Sequence, residues 1–194
     1  VARNVTVARN VTYDVNVTVD RDFTVEQLVT VESTVLCAPG TFAAGGQCID
    51  CAPGSFAAAE GSAACSPCAA GSFQPSASAS ECFACPAGSY CEAGAAVALL
   101  CAAGTWNGMA NATSPADCAA CPAGAACSAG ATAPAACDAG SVSSPSASIC
   151  TGCSAGEYQQ ASGESACEAC PSGSYCLERS ATPLQCPPGS FAAG

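Results

Sequence analysis

A cysteine followed three residues later by a glycine recurs ten times, opening at Cys37, Cys51, Cys68, Cys85, Cys101, Cys121, Cys137, Cys153, Cys170 and Cys186. Two residues past the glycine, eight copies carry an aromatic: Phe42, Phe56, Phe73, Tyr90, Trp106, Tyr158, Tyr175 and Phe191. Ala126 and Val142 stand there in the other two. A tandem repeat this regular folds as a string of small units and not around one large core. The aromatic is expected to be the one core residue of each unit, lying against a disulfide, so the units of Ala126 and Val142 are expected to be looser.

The cysteines supply the missing core. Nineteen in 194 residues is the density of extracellular disulfide scaffolds, whose short modules bury too little apolar surface to fold otherwise. Beyond Cys37 the only valines are Val97 and Val142. The charge is one-sided, with four Lys and Arg residues together, fifteen acids and a net charge of -11. Such a surface repels nucleic acid and anionic lipid. The chain has no histidine, which removes the commonest general base, the Ser-His and Cys-His pairs and most zinc-hydrolase ligand sets. The acids are scattered singly, so no catalytic residue is assigned and the chain is read as a non-enzyme. No calcium loop of the Asp-x-Asp-x-Asp-Gly type occurs. Six Cys-x-x-Cys pairs have zinc-like spacing, but without histidine, and at such monotonous intervals, they read as junctions between bridged units. No metal or cofactor is expected.

The most apolar stretch, 93–103, is far short of the ~20 residues that span a bilayer, so no membrane insertion is expected within this segment. Val1 opens the chain without a charged-then-apolar leader, so a signal peptide is expected to have been removed or to lie upstream. The tenth unit reaches Gly194 before its second cysteine, as an internal piece of a longer protein would.

Residues 1–36 differ. They divide into six hexads, VARNVT, VARNVT, YDVNVT, VDRDFT, VEQLVT and VESTVL. An even period keeps each hexad position on one face of a strand, Val, Phe and Tyr on one side and Asn, Asp, Glu and Thr on the other. The pattern predicts the last rungs of a β-solenoid, resembling hexapeptide β-helix repeats, or alternatively strands of a β-sandwich. Asn4, Asn10, Asn16 and Asn111 each open an Asn-x-Thr sequon and are expected glycosylation sites.

The cysteine units are of two kinds. Long units close after ten to sixteen intervening residues, pairing Cys37–Cys48, Cys51–Cys65, Cys68–Cys82, Cys101–Cys118, Cys137–Cys150 and Cys153–Cys167. Short units join Cys85–Cys91, Cys121–Cys127 and Cys170–Cys176. Nine bridges form, and Cys186 waits for a partner beyond Gly194. Spacing does not fix connectivity; a local swap such as Cys85–Cys101 with Cys91–Cys118 remains a rival.

The sequence Cys-x-Pro-Gly-[Ser/Thr]-Phe followed by Cys-x-x-Cys, as from Cys37 to Cys51 and from Cys51 to Cys68, resembles ephrin-receptor-like cysteine-rich repeats, relatives of tumour-necrosis-factor-receptor and EGF-like modules. The resemblance covers 37–194 and implies an extended extracellular stalk. Alanine-rich spacers with Ser66-Pro67, Ser114-Pro115 and Ser144-Pro145 resemble algal or protist surface glycoproteins, including mastigoneme (flagellar hair) proteins. The whole is read as an elongated rod of about ten small disulfide-rich repeats at 37–194, with short β-hairpins, after a β segment at 1–36. Each unit is expected to touch its neighbours in sequence. Three functions follow. The first is a structural glycoprotein of an extracellular filament, flagellar hair or wall, whose partners are its own copies, other surface glycoproteins and covalent glycans. The second is a receptor stalk or ligand-binding ectodomain. The third is the non-catalytic tail of a β-helix carbohydrate-active enzyme.

Overall fold

The computed structural model describes residues 13–19, 23–29 and 36–190. Two seven-residue strands come first, β1 (Tyr13–Val19) and β2 (Phe23–Val29). They pair antiparallel, Tyr13 opposite Val29 and Val19 opposite Phe23, so odd positions face odd positions throughout. This register keeps the two faces of the hexad pattern separate. Solenoid rungs stack in parallel, so β1 and β2 have instead the antiparallel arrangement of the sandwich alternative.

From Thr41 onward the chain is a row of two-stranded antiparallel hairpins, one per unit from the first to the ninth. The first is the longest, joining β3 (Thr41–Ala44) to β4 (Gln47–Asp50). Its loop, Gly45-Gly46, has φ of 57° and 76°, the left-handed pair that a two-residue hairpin turn needs. Each later hairpin pairs two residues with two. One pair sets the aromatic, or Ala126 or Val142, opposite the residue two before the next unit's opening cysteine: Phe73 with Phe83, Tyr90 with Leu99, Tyr158 with Glu168. Apart from one 3-10 turn at Pro115–Asp117, no helix occurs among the described residues.

The repeat's sequence explains its local shape. In Ala38-Pro39-Gly40-Thr41 the Thr41 N–H donates to the Ala38 carbonyl at 3.1 Å, and Gly40 has φ of 88°. This is a type II turn, with Pro at its second position and Gly at its third. The Ser or Thr after the glycine adds a bond: Thr41, Ser55, Ser72, Thr105, Ser141 and Ser190 each donate a hydroxyl to the turn's first carbonyl at 2.7 Å.

Tandem units of this size need a means of coupling, and here it is the main chain. From the first unit to the ninth, every junction has the same four backbone hydrogen bonds, 2.7–3.4 Å long. At the third junction, Cys85 N–H donates to Gly71 and Gly71 N–H to Cys91. Gln74 N–H donates to Ala95 and Gly94 N–H to Cys68. The nine hairpins are thus one continuous ladder. The chain exposes 12385 Å², against about 8,200 Å² for a compact monomer of its 18.6 kDa. A row of units, each with little interior, contributes to that excess.

Candidate functional site

The opening cysteines lie on the axis of the ladder. Cys37, Cys51, Cys68, Cys85, Cys101, Cys121, Cys137 and Cys153 are buried. From Cys51 to Cys153 their N–H and C=O groups both belong to the ladder, which places their sulfurs inside. The structure bridges Cys37 to Cys48, Cys51 to Cys65, Cys68 to Cys82, Cys101 to Cys118, Cys137 to Cys150 and Cys153 to Cys167. The short units join Cys85 to Cys91, Cys121 to Cys127 and Cys170 to Cys176. Cα–Cα separations run from 5.4 to 5.9 Å, the ordinary range for a bridge. Cys186 is the free cysteine of the described residues, half-buried, with its N–H on the Gly173 carbonyl.

The core is sulfur and backbone, which corrects the expectation that the aromatic would fill it. Phe42, Phe56, Phe73, Tyr90, Trp106 and Tyr158 are half-buried and Tyr175 is exposed. A two-stranded hairpin has no second layer to cover its outer face, so one side of each ring stays wet. Nor is the unit of Ala126 loose. Cys121, Ala125 and Cys127 form a buried cluster there, and Trp106 of the preceding unit packs on it with Ala131.

Contacts also reach past the neighbouring unit. A Cβ on Gly71 would lie 2.6 Å from the carbonyl oxygen of Asn111, two units on. The same relation holds for Gly40 with Ser78, Gly54 with Gly94, Gly88 with Gly130, Gly104 with Ser146, Gly124 with Gly163 and Gly140 with Arg179, each closer still. In the first seven units the repeat glycine is therefore fixed twice, by its turn and by a carbonyl that occupies the space of a side chain. The residues presenting that carbonyl have positive φ whatever their type: Ser78, Asn111, Ser146 and Arg179 as well as the glycines.

Nothing in the sequence marks the seventh residue of each unit, counting the opening cysteine as the first, yet from the second unit to the eighth it holds both a donor and an acceptor of the ladder. It is buried from the second unit to the ninth, as Ala57, Gln74, Cys91, Asn107, Cys127, Ser143, Gln159 and Cys176. In short units it is the bridging cysteine. In two long units a glutamine spans the loop instead: Gln74 Nε2 donates to Glu81 at 2.7 Å and Gln159 Nε2 to Ala166 at 2.8 Å, in each case the residue before the closing cysteine. Asn107 is one methylene shorter, in a loop three residues longer, and its Nδ2 is buried without a partner. Asn107→Gln is expected to raise stability by about 1 kcal/mol by giving that donor reach. Thermal unfolding of the two proteins checks this, and an unchanged or lower midpoint would contradict it.

Around the ladder the chemistry is sparse. No cluster of His, Cys, Asp and Glu able to hold a metal occurs among the described residues, and no helix there is long and apolar enough to cross a membrane. The most engaged carboxylate, Asp117, accepts from the N–H groups of Thr113 at 2.7 Å and Ser114 at 3.1 Å and from the Thr113 hydroxyl at 3.2 Å. These donors, the two backbone ones foremost, hold its carboxyl below the usual carboxylate value. On the ladder's outer face the Tyr158 hydroxyl donates to Glu168 at 2.9 Å, which with the nearby negative charge pushes the phenol upward. Of the sequon asparagines, Asn111 is exposed; Asn4 and Asn10 lie outside the described residues, and Asn16 lies on β1.

Residues 57–99 and 140–185 match the family model described as tyrosine-protein kinase ephrin type A/B receptor-like. No curated protein is significantly similar to the chain. The two matched stretches start and stop within units, as expected where any run of repeats fits a repeat profile. With nine bridges in place, the match supports cysteine-rich repeats of an extracellular, disulfide-rich ectodomain type.

Proposed function

We propose that this segment is structural: a stiff, bridged spacer within an extracellular filament, flagellar hair or wall assembly, associating with its own copies or with other surface glycoproteins. The observation that carries the reading is the ladder of four main-chain bonds at each junction, with cysteine sulfur beneath it. It fixes one unit on the next without calling on loop side chains, which leaves the loops as Ala, Ser and Gly. A recognition surface instead concentrates Trp, Tyr and Arg, whereas the only cation after Arg21 is Arg179, whose aliphatic stem lies over Gly152. The match to receptor-like repeats favours a second reading, a stalk that holds a binding domain away from a cell surface. Sedimentation velocity over a concentration series separates the two. The filament reading expects reversible self-association, and a monomer at every concentration would favour the stalk.

A further inference from the structure

The fifth unit departs from the repeat, and its departures converge on one loop. This unit has the longest separation between bridged cysteines, 17. Inside that loop lie Met109, Asn111 and Thr113, all exposed. Met109 is the chain's single methionine and, at 76 %, the most exposed large hydrophobic residue described. Its N–H is tied to Asn107 Oδ1 at 3.0 Å, so its backbone is fixed while its thioether stands in solvent. Asn111 has φ of 65°; its N–H is bound to Cys85 at 2.8 Å and its carbonyl abuts Gly71. Its backbone is locked into the ladder while its side-chain amide has no hydrogen-bond partner among the described residues. At equivalent positions stand Gly94, Gly130, Ser146 and Arg179, so the turn itself does not call for an amide. Nor does it call for the Thr two residues on.

We infer that Asn111 carries an N-linked glycan whose first sugar covers Met109. The proposal rests on the extracellular reading above, since transfer occurs in the secretory pathway. In that step Asn111 Nδ2 bonds to the anomeric carbon of a lipid-diphosphate-linked oligosaccharide. The sugar's bond to the diphosphate oxygen breaks, the amide releases one proton, and the lipid diphosphate leaves. In the folded chain Thr113 is tied to Asp117 and the loop is closed by Cys101–Cys118. Transfer therefore precedes closure of that bridge. A soft thioether two residues from the attachment point offers the sugar's apolar face a contact that water otherwise occupies.

The test uses the full chain, secreted from a eukaryotic host under a host leader and digested without reduction. The Asn111 peptide is expected to carry sugar that an amidase removes, leaving Asp at 111. Thr113→Ala and Asn111→Gly are both expected to lose it, and Asn111→Gly to stay folded because glycine accepts the same φ. Peroxide is expected to oxidise Met109 several-fold more slowly in the wild-type chain than in Asn111→Gly, which keeps any glycans on the other sequons. An unmodified Asn111, or equal oxidation rates, would overturn the proposal. The same digest reports whether Cys101 and Cys118 are bridged. Free thiols there would count against the disulfide-scaffold reading, separately from the glycan.

Discussion

Gly71→Ala is expected to open the rod locally, speeding hydrogen exchange at the Cys85, Cys91 and Asn111 amides by roughly a hundredfold or more. Two costs add. An alanine at φ of 85° is strained by about 1–2 kcal/mol. Its Cβ would also meet the Asn111 carbonyl, main chain held by the ladder and unable to rotate away, which adds about 1–3 kcal/mol of overpacking. Each 1.4 kcal/mol is tenfold in an equilibrium, and exchange follows the local opening equilibrium. Gly46→Ala is the control. Gly46 has φ of 76°, but a methyl group there would find nothing within 4 Å, so only the conformational cost applies. Equal effects at the two sites would mean that the second-neighbour contact carries no weight.

Complete reduction is the second large effect. It is expected to unfold residues 37–185 without denaturant, with loss of protection at the ladder amides. A bridge closing a loop of about 15 residues contributes about 3 kcal/mol, and one closing a six-residue separation somewhat less. Whole domains have a net stability of only about 5–15 kcal/mol, so losing a handful of such bridges exhausts it. No layer of Leu, Ile or Val takes over, since Ile49, Leu99, Leu100, Ile149 and Leu184 are exposed. Ladder amides that stay protected after all nine bridges are reduced would show that the backbone bonds suffice alone.

Much of this was legible in the residues because cysteine and glycine have uncommon constraints. A glycine at a fixed offset from cysteine announces a turn that other residues enter only under strain, and two recurring spacings, long and short, mark two kinds of closed loop. The ladder was not legible. Main-chain hydrogen bonds require no particular side chain, so the seventh residue could be Ala, Gln, Asn, Ser or Cys and show no pattern beyond being small or polar. The second positive-φ position is filled by Gly, Ser, Asn and Arg, and was hidden for the same reason. The expectation that each unit meets mainly its neighbours came from treating units as beads; in the first seven units the carbonyl over the repeat glycine comes from two units away. The aromatics misled in the opposite sense, because a regular aromatic reads as core when no second layer is visible to deny it.

The central claim is that bridges and ladder together make the repeats a single extended rod. Small-angle X-ray scattering of the oxidised chain tests it most directly. A compact chain of 194 residues has a radius of gyration of about 16 Å. The rod predicts a value well above that, a pair-distance distribution with a short peak and a long tail, and a linear cross-section region in the scattering curve. A symmetric distribution with a radius of gyration near 16 Å would contradict it.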